Sequence, residues 1–428
     1  MKRKILTVVL TASLVSISLA GCGTKADKPV QDAKLDSAAS SDDTQVLESG
    51  EVALTIWMEE ANFDNLSKMV ESFKQEYAGQ ADFNITLEAS ADADTRKNVL
   101  GDIHSAADIF SMPDDQLYSM IAGGALSPVA EQDKIKNANL EEAVYAASYG
   151  DVVYAYPYTA DNGYFLYYDK NYFTQEDVQT LDRILEVAAE NDKKLSMEFN
   201  SGWYLYSFFG NTGLDFGIND DGVTNHCSWN STEGAIKGVD VAQALLNVTQ
   251  SPAFIAQPDS TFMDGVASGE VIAGVSGVWN AIAIQDAWGK DYGACKLPTY
   301  TVNGQQIQMA SFTGYKMMGV NAYSEHLGWA HKLADWITNE ENQTLRLEER
   351  SQGPSNKNAA ASDAVASVPA IAAVIDQSQY GVLQRVGNSY WDPCTNFADI
   401  IAAGNPDNVP LQDLMDSLAN GIAASAVQ

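Results

Sequence analysis

The sequence predicts an α/β fold in which strands and helices alternate along a body that begins near Glu51. Short β-branched and apolar runs, typical of buried strands, are separated by segments whose apolar residues recur at steps of three and four, the spacing of one helical face. A composition of 46% apolar and 19% charged residues is that of a globular chain. At roughly 150 residues per domain, the 428 residues correspond to two or three compact units.

The first 22 residues have the pattern of an export signal. Residues 2–4 are basic, and the apolar stretch over 5–20 is shorter than the about 20 residues that a spanning helix needs. The stretch ends in Leu-Ala-Gly-Cys, which resembles the lipobox of bacterial lipoproteins. We therefore expect a signal peptide over 1–21 and a lipidated Cys22 that anchors the protein on the outer face of the cell membrane. An ordinary signal with a chance cysteine is the alternative.

Residues 22–50 are expected to form a flexible linker. They are mainly Lys, Asp, Ser, Ala and Gln, with almost no large apolar residues. At about 5–6 Å × √n, such a stretch spans about 30 Å, enough to lift a domain off a membrane. No later apolar run approaches spanning length, so we expect a soluble body that is only tethered.

The first elements of the body follow in order. Residues 52–57 form an apolar run of buried-strand length, and the next apolar residues, at 63, 66, 70, 73 and 77, predict an amphipathic helix. Residues 83–87 alternate like a strand, 95–104 are expected to be helical, and 107–110 form another short strand. Strands that alternate with helices imply βαβ units, a parallel sheet and a ligand site beyond the carboxyl ends of the strands.

A second α/β stretch follows Asp161. Helices are predicted over 181–190 and 239–248, and an apolar strand over 271–275. Residues 324–349 are rich in helix-forming patterns, with a new helix start at Asn339 because two acids follow it. The dipeptide Gly353-Pro354 ends this helix, and the tail from 359 to 428 contains further helical segments.

Composition and spacing exclude several classes of site. A formal net charge of −32 argues against nucleic-acid binding, which depends on Lys and Arg. Besides Cys22 there are three cysteines without a CxxC pair, so one disulfide is possible and at least one thiol stays unpaired. The four histidines are scattered, which argues against a metal site. We expect neither a metal nor a cofactor.

Several separated motifs together resemble the family 1 extracellular solute-binding proteins of ABC importers, in particular the maltose- and maltodextrin-binding group. The resemblance runs from Leu54 to about Leu418. Each motif alone is weak, but their order and spacing are specific. The motifs are Leu54-Thr55-Ile56-Trp57, Ala107-Asp108-Ile109-Phe110, Asp115-Gln116-Leu117, Gly123-Gly124-Ala125-Leu126-Ser127-Pro128, Val153-Tyr154-Ala155-Tyr156-Pro157-Tyr158, Tyr167-Tyr168-Asp169-Lys170, Gly277-Val278-Trp279, Gly314-Tyr315-Lys316-Met317-Met318-Gly319-Val320 and Tyr390-Trp391-Asp392-Pro393.

This resemblance implies a two-lobed fold of the periplasmic-binding-protein type (type II), in which each lobe has a sheet flanked by helices and the lobes close on ligand about a hinge. Lobe 1 would take 51–158 and 312–353, and lobe 2 would take 161–308 and 359–428. The implied function is a monomeric, lipid-anchored binder, not an enzyme, that captures an oligosaccharide, above all a maltodextrin, and delivers it to an ABC permease.

A sugar site needs carboxylates and amides for hydroxyls, which both donate and accept, and flat aromatic faces for the C–H face of the ring. The polar residues in matching positions are Glu59, Glu60, Asp114, Asp115, Gln116 and Asp161. The aromatic residues that match the stacking positions of the family are Trp203, Tyr204, Trp279, Tyr390 and Trp391. The alternatives are that Glu59 and Glu60 are solvated loop acids, that Asp114 caps a helix, and that the tryptophans belong to the core.

One departure from the family concerns the third strand. The maltose binders often have a tryptophan where this chain has Ser111, and no arginine stands beside Asp114. A stacking contact in lobe 1 is therefore expected to be missing.

The main rival function is a surface glycoside hydrolase, because two acids at a sugar cleft are also the machinery of a glycosidase. No sequence feature pairs a raised-pKa acid with a second carboxylate in that way. A serine hydrolase fails as well, since Ser276 lacks the Gly-x-Ser-x-Gly spacing of a nucleophile elbow.

Overall fold

The computed structural model describes residues 47–219 and 223–424. The predicted signal peptide, Cys22 and the linker up to residue 46 lie outside the described residues. Strands and helices alternate as predicted, and they build two five-stranded sheets, each flanked by helices. The α/β prediction is confirmed. We call the two halves lobe 1 and lobe 2.

Lobe 1 is built on a sheet with three neighbouring parallel strands and one antiparallel strand between the third and fifth positions. Helices Phe63–Glu76 and Leu327–Ile337 cover one face, where Phe73 meets the fully buried Trp329 edge to face at 6.2 Å. In spatial order the strands are Asp82–Ala89, Glu51–Met58, Ile109–Pro113, Lys316–Val320 and Ala155–Thr159.

Lobe 2 repeats this arrangement with another five strands. Its main core contains a dense aromatic group in which the rings of Phe209 and Trp229 stack at 4.1 Å, and the C-terminal helices Trp391–Ala402 and Leu411–Ile422 pack on this core. In spatial order the strands are Phe254–Ala256, Lys194–Met197, Val271–Gly277, Tyr164–Asp169 and Tyr292–Cys295.

Both sheets are mixed, so the prediction of a parallel sheet holds for three neighbouring strands of each sheet and is wrong for the others. Lys316–Val320 in lobe 1 and Tyr164–Asp169 in lobe 2 run antiparallel to their neighbours. Each is the strand by which the chain enters from the other lobe. It therefore begins at the edge where the parallel strands end, and both of these edges face the crossings between the lobes.

The predicted helices are present with small shifts at their ends. Leu181–Glu190 has the predicted bounds, and Asn339 caps Glu340–Arg350 by accepting a hydrogen bond from Asn342 N at 2.9 Å. The strand predicted over 107–110 is instead Ile109–Pro113. Asp108 lies just before it, where its carboxylate accepts hydrogen bonds from Thr55 N and Ser324 Oγ. The remaining α-helices are Thr95–Gly101, Leu117–Ala122, Gln132–Ala138, Glu141–Ala146, Gly202–Leu205, Gly238–Thr249, Asp259–Ala267, Ala281–Trp288, Lys357–Ala360, Asp363–Ser367 and Pro369–Ser378.

Four short strand pairs complete the fold: Ser148–Tyr149 with Val152–Val153, Phe216–Ile218 with Asn225–Cys227, Thr299–Val302 with Gln305–Gln308, and Ser311–Thr313 with Gly381–Leu383. Across residues 47–219 and 223–424, no helix has the length and apolar character that crossing a membrane requires. Within the same ranges the thiols of Cys227, Cys295 and Cys394 are all free, which answers the disulfide question that the sequence leaves open.

Candidate functional site

The crossings between the lobes are bonded to one another and hold the two sheet edges together. The chain crosses between the lobes near residues 160, 314 and 353. At the first two crossings, Asn162 N donates to the Gly314 carbonyl at 3.2 Å. Ala160 N donates to the Gly353 carbonyl at 2.9 Å, and Gly353 N donates to the carboxylate of Asp161. Asp161 is only 3% exposed, so this predicted ligand residue lies in the hinge.

Asp114 and Asp115 stand at the carboxyl end of the third strand of lobe 1, both turned inward. Asp114 Oδ1 accepts a hydrogen bond from Tyr315 N at 2.9 Å, so its side chain does not cap the following helix. Its Oδ2 and the Oδ1 of Asp115 are buried without a partner. Burial raises the pKa of Asp114 to about 8 and that of Asp115 to about 6. Gly314 permits this approach, because a Cβ there would lie 2.7 Å from Asp114 Oδ1.

Gln116 has a supporting position beside the two aspartates. Its Nε2 donates to the carbonyls of Asp92 at 2.9 Å and Ala93 at 3.2 Å, and its Oε1 accepts from Arg96 N at 2.8 Å. Both ends of the amide are bonded to the turn that follows the edge strand. The side-chain amide of Gln116, a predicted ligand contact, therefore has no N–H group free to bond a ligand in this arrangement.

A buried lysine organises the acids that follow the first two strands of lobe 1. Lys316 Nζ lies 2.6 Å from Asp92 Oδ2 and 3.8 Å from Glu59 Oε2. Burial by itself lowers the pKa of Lys316, but these two carboxylates outweigh it and the net pKa is raised. Glu59 keeps part of its side chain exposed, and Glu60 is exposed.

Two arginines at the same edge were not predicted from the sequence. Arg346 lies 3.8 Å from the centre of the Tyr158 ring and donates to its hydroxyl, while Arg385 lies 4.4 Å from the centre of the Tyr118 ring. The Nε atoms of both guanidinium groups are buried without a partner, as is Oε1 of the neighbouring Gln384.

The edge of lobe 2 carries a compact polar group around Asp259. Its carboxylate accepts hydrogen bonds from Ser276 Oγ at 2.7 Å, Trp279 Nε1 at 2.5 Å and Asn280 Nδ2 at 3.2 Å. The backbone N–H of Asp259 donates to Glu198 Oε2 at 3.2 Å. Burial raises the pKa of both acids. Neither acid was predicted, although each follows the end of a strand in lobe 2, and that position is the signal that identifies them.

The predicted aromatic residues fall into two groups. Trp203, Trp279 and Trp391 are half-buried and keep part of the ring accessible. Tyr204 and Tyr390 are only 3% and 0% exposed, and Tyr390 donates its hydroxyl hydrogen bond to the Gly202 carbonyl at 2.8 Å. The two tyrosines therefore lie in the lobe 2 core, and Trp203 and Trp391 pack against this core.

The two edges together offer a consistent chemistry. Lobe 1 supplies buried carboxylate and guanidinium atoms without partners, and lobe 2 supplies partly exposed indole rings. Such a set suits a small molecule that carries many groups able both to donate and to accept hydrogen bonds and that also has flat apolar faces. Among the described residues, no three His, Cys, Asp or Glu side chains form a group that could hold a metal ion.

Comparison with known proteins gives matches over most of the chain. Residues 68–373 match the sequence profile of bacterial extracellular solute-binding proteins. A galactooligosaccharide-binding protein of Bacillus subtilis strain 168 is 26% identical, over 97% of this chain and 96% of its own. A structure solved with acarbose is 26% identical, covers 87% of this chain and 99% of its own, and has a TM-score of 0.77. The unliganded maltodextrin-binding protein MalE1 of L. casei BL23 is 23% identical, over 88% of this chain and 100% of its own, with a TM-score of 0.73.

Proposed function

This chain belongs to the bacterial extracellular solute-binding protein family, and from that premise we propose that it captures an oligosaccharide of the maltodextrin class between its lobes and delivers it to an ABC permease. Relatives at 26% identity support a sugar ligand, since one is named for galactooligosaccharides and another was solved with acarbose. The two-lobed α/β fold suits capture by hinged closure.

The observation that carries this proposal is the set of buried polar atoms without partners at the lobe 1 edge. The set contains carboxyl oxygens, Asp114 Oδ2 and Asp115 Oδ1, and a donor, Arg346 Nε. Leaving such a group unpaired costs about 1–3 kcal/mol. Sugar hydroxyls pair with both kinds, because each hydroxyl donates and accepts. The atoms are shielded in this arrangement, so a ligand reaches them when the lobes part.

Calorimetric titration of the purified protein with malto-, isomalto-, xylo- and galacto-oligosaccharides tests the proposal. We expect saturable binding of one series, with malto-oligosaccharides the tightest. Tighter binding of galacto-oligosaccharides would support the oligosaccharide-binding function but contradict the assignment to maltodextrins. Binding of none of the four would overturn the proposal.

The same mixtures separate a binder from a hydrolase. A glycosidase needs an acid with a raised pKa and a second free carboxylate flanking the bond. At the lobe 2 edge, Asp259 already accepts three hydrogen bonds, which supports binding over hydrolysis. Chromatography after prolonged incubation should return every oligosaccharide unchanged, and released shorter sugars would contradict the proposal.

We further propose that Cys22 carries the lipid anchor that keeps the protein beside its permease. A single acyl chain binds a membrane only marginally, so a lipid with more than one chain is required. Fractionation of cells that express Cys22→Ala should find the variant released from the membrane. A variant as membrane-bound as the wild type would refute the anchor.

A further inference from the structure

The indole of Trp279 is held on two sides by its own lobe. Its six-membered ring lies over Gly277, where a Cβ would come within 2.1 Å of a ring carbon. Its Nε1 donates to Asp259 Oδ2 at 2.5 Å. The ring is still only half-buried, so these two contacts fix its orientation and leave part of its surface exposed.

The carboxylate of Asp259 is fully engaged in the turn that carries Trp279. Besides the indole it accepts hydrogen bonds from Ser276 Oγ at 2.7 Å and from Asn280 Nδ2 at 3.2 Å. Asn280 Nδ2 also donates to Ser276 Oγ at 2.9 Å, which closes the network. Asp259 begins helix Asp259–Ala267, but its side chain caps no N–H of that helix. Both of its oxygens are thus bonded to residues 276–280.

From this geometry we propose that Asp259 is a positioning residue, which holds the Trp279 indole in the orientation that packs against the sugar ring. The inference rests on the proposed oligosaccharide-binding function. Asp259 itself contacts no ligand, because both of its oxygens are already bonded. Its removal therefore weakens all bound sugars by a similar factor and leaves their order of preference unchanged.

Calorimetry on single and double variants tests this role. Asp259→Ala should lower the association constant by about tenfold, which corresponds to about 1.4 kcal/mol. In a Trp279→Ala background the same change should cost less than about twofold, since the ring that Asp259 positions is absent. Asp259→Asn retains one carbonyl acceptor and should fall between the wild type and Asp259→Ala. Asp264→Ala, an exposed acid on the same helix, is the matched control and should bind like the wild type.

A second measurement needs no ligand. The Nε1 proton of Trp279, assigned in NMR spectra by its loss in Trp279→Phe, should exchange slowly in the wild type and in Asp264→Ala. It should exchange rapidly in Asp259→Ala and at an intermediate rate in Asp259→Asn. The conservative variant keeps the test valid if Asp259→Ala does not fold.

The outcomes separate the inference from the proposed function. An unprotected indole proton in the wild type, or an undiminished loss from Asp259→Ala in the Trp279→Ala background, would overturn the positioning role. The protein could also bind no oligosaccharide while Asp259 still protects the indole proton from exchange. That result would refute the proposed function and would leave Asp259 without a sugar-positioning role. Protection together with a loss that depends on Trp279 supports both.

Discussion

The carboxylate of Asp161 accepts a hydrogen bond from the backbone N–H of Gly353, 192 residues further along the chain. The adjacent Ala160 N–H donates to the Gly353 carbonyl at 2.9 Å, so two bonds join the first and third crossings. Burial raises the pKa of Asp161. These contacts favour a hinge role for Asp161, whereas the family resemblance implies a ligand contact.

Asp161→Ala is expected to lower the free energy of unfolding by about 1–3 kcal/mol, because the buried N–H of Gly353 loses its partner. Asp161→Asn keeps a carbonyl oxygen in the same place and should lose less. Urea unfolding of both variants checks this expectation. Wild-type stability of Asp161→Ala combined with weakened sugar binding would instead support direct ligand contact.

Asp114 should make the ligand-free protein less stable as the pH rises. Burial raises its folded pKa to about 8, against a usual value of 3.8. Between these pH values the folded state holds a proton that the unfolded state has lost, so stability falls across this window and levels off above it. The free energy of unfolding of Asp114→Asn should exceed that of the wild type by about 1–3 kcal/mol at pH 8 and should be close to it at pH 4. Chemical unfolding at the two pH values measures the difference, and an equal effect at both would contradict it.

The parts of the structure that depend on local sequence were predictable, and those that depend on distant segments were not. The helix Leu181–Glu190 follows from the spacing of its own apolar residues. The burial of Tyr390 depends on the carbonyl of Gly202, 188 residues away in the chain. No periodicity in the sequence encodes such a pairing.

The candidate site shows the same division. Carboxylates at strand ends can be identified in the sequence, because the strand ends themselves can be predicted from it. The role of Lys316 is not visible, since it arises only when the returning strand places this lysine 2.6 Å from Asp92. The amide of Gln116 likewise looks available in the sequence, but the loop beside it binds both of its ends.

The tryptophans of lobe 2 should contribute to affinity for every bound sugar. Trp279→Ala and Trp391→Ala are each expected to weaken binding by about 1.5–3 kcal/mol, the scale of burying one large side chain. Trp336→Ala is the matched control, because Trp336 packs in lobe 1 against Phe73 and donates to the Met69 carbonyl. It should lower thermal stability without changing affinity. Wild-type binding by folded Trp279→Ala and Trp391→Ala would place both rings outside the site.

His331 should make lobe 1 sensitive to acid. Its ring lies between Ser127 Oγ and Tyr156 Oη, both at 2.9 Å, and burial lowers its pKa to about 4. Below about pH 6.5 the unfolded chain takes up a proton that the folded chain refuses, so stability is complete above that pH and declines towards pH 4 by about 3 kcal/mol. His331→Gln should flatten this decline, and the exposed His104→Gln should not. Identical acid unfolding curves for His331→Gln and wild type would refute the assignment.

Arg385 joins the two lobes through a short segment of chain. Leu383 packs against the lobe 1 core and Val386 against the lobe 2 core. Between them, Arg385 Nη2 donates to the Ala146 carbonyl of lobe 1 at 3.3 Å, and its guanidinium covers the Tyr118 ring. These contacts link the C-terminal segment to lobe 1 and stabilise the arrangement of the lobes seen here.

Arg385→Ala should therefore shift the ligand-free protein towards an open form. A ligand moves such an equilibrium only by its differential affinity, and about 5.5 kcal/mol is needed to go from 1:99 to 99:1. In small-angle scattering, the variant should show a larger radius of gyration than the wild type without ligand and the same radius at saturation. Its affinity should fall by the same factor as the population of the closed form. Arg183→Ala, on an exposed helix face of lobe 2, should change none of these values. An unchanged radius in ligand-free Arg385→Ala would show that this arginine does not hold the lobes together.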